Sequence, residues 1–113
     1  MGLYCLRAQY TPDAIKAIIS SGENREDAVR KAVTSVGGKL HGFYGIYGDR
    51  DGYHLMVIIE TPSNAEYIAT VVSAVLGGAI AKWTTNVLYT ADELVAASEM
   101  VNSSKVDYQP PSA

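Results

Sequence analysis

The chain has 113 residues, enough for one domain with its own core but short for an enzyme built of several. Hydrophobic residues make up 48% and charged residues 19%, the balance of a globular rather than a disordered chain. A net charge of −3 with nine scattered basic residues offers neither a nucleic-acid stripe nor a polybasic membrane patch, so neither partner is expected.

The opening residues lack the basic start and apolar block of a signal peptide. Cys5 is the single cysteine, which excludes an intrachain disulfide and a thiolate zinc cluster, and the expected location is cytoplasmic. Leu3–Tyr10 reads as a first strand, with Arg7 on the face of Leu3, Cys5 and Gln9 and with Tyr4, Leu6, Ala8 and Tyr10 on the other. Thr11-Pro12 then supplies a helix cap and a proline at the first helical position. A second helical piece runs from Glu23 to Val36. Its apolar stripe is Val29, Ala32, Val33 and Val36, with Arg25, Glu26, Arg30 and Lys31 expected to point elsewhere. Gly37-Gly38 ends it.

Two aromatic strands follow, Lys39–Tyr47 and Tyr53–Glu60, joined by the turn Gly48–Gly52. Ser63 and Glu66 make a capping box for a helix whose buried stripe is Ile68, Ala69, Val72 and Leu76. Gly77-Gly78 stops that helix, and Ala79–Tyr89 reads as a fourth strand. On it Trp83, Thr85 and Val87 alternate with Lys82, Thr84 and Asn86. Thr90 and Glu93 cap a last helix reaching about Asn102. The domain is expected over residues 1–103, with residues 104–113 as a flexible tail.

Each half therefore reads strand, helix, Gly-Gly, strand. This order predicts an α+β fold, the ferredoxin-like βαββαβ plait, with an additional C-terminal helix. Helices cover one sheet face only, yet Tyr53–Ile59 is apolar on both. A second subunit's sheet is the simplest cover, which predicts a homodimer or higher homo-oligomer, drawn as a dimeric α+β barrel.

The runs YTPDAIKAI, GGKLHGFYGIYG and VIIETPSN resemble the GYD-domain proteins, small dimeric α+β barrels, over about residues 3–98. The namesake Gly-Tyr-Asp departs here to Gly52-Tyr53-His54, so either His54 or Asp51 stands for the aspartate. The resemblance implies a fold and a dimer; it implies no particular reaction.

The chemistry concentrates between His41 and Glu60, which holds both histidines and the only phenylalanine. If Tyr47 faces Tyr53 across the turn, His41 lies opposite Ile59 and His54 opposite Ile46. The two imidazoles then sit on opposite faces, and no shared metal is expected. His54, with Tyr44 and Asp51, is the candidate acid–base set, since an imidazole and a phenol in an apolar cavity suit enolisation. The plainer reading makes His54 a strand cap and gives Asp49 and Asp51 to the turn. Arg7, His41, Tyr53 and Trp83 are the candidate ligand-binding residues, with Arg7 either paired at a dimer interface or open to an anion. The expected function is a cofactor-independent enzyme or a binder of a small organic molecule, aromatic or carbonyl-containing. The competing expectation is a non-catalytic assembly or regulatory protein whose aromatic sheet serves packing.

Overall fold

The computed structural model describes residues 1–112; Ala113, the end of the expected tail, lies outside them. Eight elements follow in order: β1 (Gly2–Tyr10), α1 (Pro12–Ser21), α2 (Arg25–Ser35), β2 (Lys39–Gly45), β3 (Leu55–Thr61), α3 (Asn64–Leu76), β4 (Ile80–Val87) and α4 (Ala91–Asn102). The strands form one sheet in the order β2-β3-β1-β4, every neighbouring pair antiparallel.

The helix boundaries follow from their caps. Thr11 Oγ1 accepts the Ala14 amide at 3.1 Å and Gly22 closes α1 in the left-handed region. Asn24 accepts the Glu26 amide at 2.9 Å, so α2 starts two residues later than the sequence pattern predicts. Glu66 Oε2 accepts from the Ser63 amide at 3.0 Å and from its hydroxyl, and the latter bond holds the Glu66 carboxyl below its usual range. Thr90 and Glu93 exchange bonds of 2.9 and 3.1 Å at the start of α4. Gly38 is required by space: a Cβ there would lie 2.7 Å from the Glu60 carbonyl oxygen.

Strand alternation divides the sheet into two different surfaces. Tyr4, Leu6 and Ala8 of β1 and Leu55, Val57, Ile59 and Thr61 of β3 are buried beneath the helices. Val33 of α2 and Tyr67 and Val71 of α3 close over them. Tyr4 and Tyr67 stack at 4.0 Å between centroids, and Tyr67 bonds Thr85 Oγ1 at 2.7 Å. Burial pushes the Tyr67 phenol above its ordinary value. On the opposite face Cys5, Arg7, Met56 and Ile58 are only half-buried, and among the described residues no helix packs over them as α2 and α3 pack over the core face.

The β2–β3 register corrects one expectation. It runs as predicted from Gly45↔Leu55 to Gly42↔Ile58, then shifts, so that Leu40 rather than His41 pairs with Ile59. The extra residue is a β-bulge at His41. Leu40 and Phe43 lie an odd number of residues apart, and strict alternation would send them to opposite faces. The bulge lets both pack on the core.

Helix α4 buries none of its residues, and Leu94, Val95, Met100 and Val101 are exposed along it. The radius of gyration is 17.9 Å, against about 13 Å for a compact chain of this length. Residues 104–112 are exposed throughout. Among the described residues no helix is long and apolar enough to cross a membrane.

Candidate functional site

Between the sheet and the pair α2/α3 lies a cavity of about 250 Å³. Leu6, Leu55, Val57 and Ile59 form its floor; Val29 and Ala32 of α2 and Val71 and Ala74 of α3 form its walls. Its polar lining is Tyr10, Arg25, Thr70 and Ser73. Thr70 spends its hydroxyl on the Glu66 carbonyl at 2.8 Å, as helical threonines do. Tyr10, Arg25 and Ala79 also line an outer groove beside α1, so the phenol and guanidinium stand where the interior opens.

Tyr10 is half-buried, and desolvation pushes its phenol above its ordinary value, more than the nearby Arg25 guanidinium pulls it down. It is a protonated donor at neutral pH. Arg25 Nη1 donates to Glu23 Oε2 at 3.1 Å. The expectation that Arg25 points away from the apolar stripe is wrong. Arg25, Val29 and Ala32 recur at helical spacing, and α2 turns all three to the same cavity. That spacing was the available signal for Arg25. Tyr10 could have been found as the last member of the alternation Tyr4, Leu6, Ala8, Tyr10.

The residues expected to form an acid–base set are not gathered in one place. His54 Nδ1 accepts the Tyr10 backbone amide at 3.0 Å, while the His54 amide donates to the Ala8 carbonyl at 2.8 Å. An imidazole nitrogen that accepts from an amide carries no proton, so the proton sits on Nε2. His54 therefore ends the β1–β3 ladder with a side-chain acceptor, and its outward nitrogen is a donor. Its ring lies 6.0 Å from that of Tyr10. Tyr44 instead folds over Gly42, where a Cβ would meet its Cε2 at 2.8 Å, and it is largely exposed. Asp51 is exposed and takes part through its backbone, donating to Asp49 Oδ2 at 3.0 Å and accepting from Lys82 Nζ at 2.5 Å. Asp49 Oδ2 also accepts the Tyr53 amide at 2.9 Å, which is turn chemistry.

The ligand-binding set divides too. Arg7 and Tyr53 meet on the uncovered sheet face, with Arg7 Cζ 5.5 Å and Lys82 Nζ 4.8 Å from the Tyr53 ring centroid. Neither cation pairs with a carboxylate among the described residues. His41 lies near the start of β2, with Nε2 2.8 Å from Glu60 Oε1 near the end of β3. Trp83 is on the helix side, beside Ile68 and Val72 of α3, and the sheet separates it from Arg7. Cys5 is half-buried on the uncovered face. Among the described residues no three His, Cys, Asp or Glu side chains converge on a metal-sized space.

The role of His54 can be tested directly. His54→Ala leaves the Tyr10 amide without an acceptor and should lower stability by about 1–3 kcal/mol. His54→Asn, whose Oδ1 reaches the Nδ1 position, should retain most of it. Urea midpoints of the two variants make the comparison, and equal losses would assign the effect to ring packing.

No curated protein matches the chain. The family model of the GYD domain matches residues 4–97, from the core tyrosine of β1 through the first half of α4 and across every residue of the cavity lining. The chain belongs to the GYD domain family.

Proposed function

We propose that this chain is a homodimeric binder of a small, largely apolar organic molecule, which it takes into the cavity between its sheet and α2/α3. The carrying observation is the distribution of polarity: apolar walls, with a protonated phenol and a guanidinium at the mouth. Specific small-molecule sites have this build. Acid–base catalysis needs a general base within reach of the ligand. Among the described residues no Asp, Glu or His lines the cavity, Glu23 at its mouth is paired with Arg25, and the unprotonated nitrogen of His54 is already bonded to the backbone. This favours binding over turnover and calls for no cofactor.

The strand order supports a ferredoxin-like plait within this reading. The half-exposed Met56, Ile58 and Cys5 support sheet-to-sheet pairing of two copies into an α+β barrel. A cytoplasmic setting, inferred from the single cysteine, belongs to the same proposal. The competing assembly role draws on α4, whose apolar side chains are all exposed.

Indole, a neutral probe of suitable size, tests the binding reading by thermal unfolding. At ten times its Kd it should add about 1.4 kcal/mol, which raises Tm by roughly 5 °C in a chain of this length. Ala74→Leu fills the cavity from α3 and should abolish the rise. If neither indole nor any other neutral apolar probe of this size moves the Tm of the unaltered protein, the cavity is a packing void and the reading falls.

A further inference from the structure

We propose that the ligand of this cavity is an amphipathic monocarboxylic acid, its apolar body inside and its carboxylate held at the mouth by Arg25 and Tyr10. The inference rests on the binding reading above and adds the ligand's chemical class.

The two groups at the mouth select the head group. A guanidinium presents a planar fork of donors and no acceptor, and a protonated phenol beside it adds an O–H donor. A carboxylate accepts from both. An alcohol can take the phenol but makes no charge-assisted pair with Arg25, and an amine would have to turn to Glu23 or Asp13 of the outer groove, away from the phenol and guanidinium. The protein already shows that a carboxylate fits: Glu23 Oε2 sits on Arg25 Nη1 at 3.1 Å. Both side chains of that pair are substantially exposed, at 30% and 41%, so the contact is weak and open to exchange. Glu23 is thus a resident competitor that a ligand carboxylate displaces or joins.

Size sets the apolar part. About 250 Å³, at ~30 Å³ for each water-sized group, holds roughly eight heavy atoms. A chain of seven or eight carbons fits, as does a phenyl ring with a short side chain. The outer groove shared by Tyr10 and Arg25 leaves the carboxylate in contact with solvent, which spares its full desolvation.

Octanoate and 1-octanol, measured by isothermal titration calorimetry on the full chain, separate the two layers of the inference. Both should bind the unaltered protein, octanoate about 10-fold more tightly, the usual gain from charge-assisted bonds. Arg25→Met should remove that preference, so that octanoate binds no more tightly than octanol. Glu23→Gln should tighten octanoate several-fold without altering octanol. This surface change keeps the test decisive if Arg25→Met folds poorly. Equal binding of acid and alcohol, or octanoate affinity indifferent to both substitutions, overturns the carboxylate assignment while leaving the cavity a binding site. If neither compound binds, the binding reading fails, and this inference fails with it.

Discussion

Ile59→Ala should lower the stability of the chain by about 2–5 kcal/mol, the range for truncating a fully buried isoleucine. Ile59 is 1% exposed, pairs with Tyr4 of β1 and Leu40 of β2, and borders the cavity under α2 and α3. Truncation removes three methyl or methylene groups from contact and enlarges a space that is already open. The surrounding sheet is held by ladders on both sides of β3 and cannot collapse to fill it. Against a typical total of about 5–15 kcal/mol, the upper end of this loss leaves little native protein at 37 °C. Urea unfolding at fixed protein concentration is the measurement, with the midpoint falling and the slope unchanged. A loss below about 1 kcal/mol would mean that β3 is not the centre of the core.

The same strand shows how far the sequence can be read. Element order, the two faces of β1 and β4, the Gly-Gly stops and both capping boxes follow from local rules, and local rules are printed in the sequence. The hairpin register was also legible from Gly42 to Gly45, because apolar residues on β2 and β3 must match across the ladder. The bulge at His41 was not. It is decided by whether Leu40 and Phe43 can both reach the core, which depends on helices packed from elsewhere in the chain.

The candidate site was read less well, for a related reason. Rare polar residues in the hairpin drew attention to His54, Tyr44 and Asp51. A hairpin's side chains can equally be consumed by its own turn and ladder, and Asp49 and His54 are consumed in this way. The cavity instead depends on two helices standing apart above the sheet, a long-range fact with no local sequence pattern. Arg25 reads as a solvated charge because charges on helices usually are. Its position one turn before Val29 shows otherwise only once the cavity is seen.

Ile58→Asp should convert the proposed homodimer into a folded monomer. Ile58 neighbours Ile59 in sequence but faces the other way, between Gly42 of β2 and Cys5 of β1, and within one chain it is only half-buried. Pairing of two such faces places Ile58, Met56 and Cys5 in the contact. Arg7, Lys82 and Tyr53 lie toward one end. A two-fold interface receives any substitution twice, once from each subunit. Two unpaired carboxylates buried at about 2 kcal/mol or more each would raise the dissociation constant by a factor of roughly 1,000. The isolated fold should suffer little, because an aspartate at this position in a lone chain stays in contact with water. Light scattering across a concentration series gives the mass, and circular dichroism reports the fold. A monomeric unaltered protein at tens of micromolar would remove the dimer from the proposal. A variant that stays dimeric would move the interface off the sheet. One further uncovered apolar surface is that of α4, where Leu94 and Val101 stand two turns apart on one side of a helix that buries nothing among the described residues.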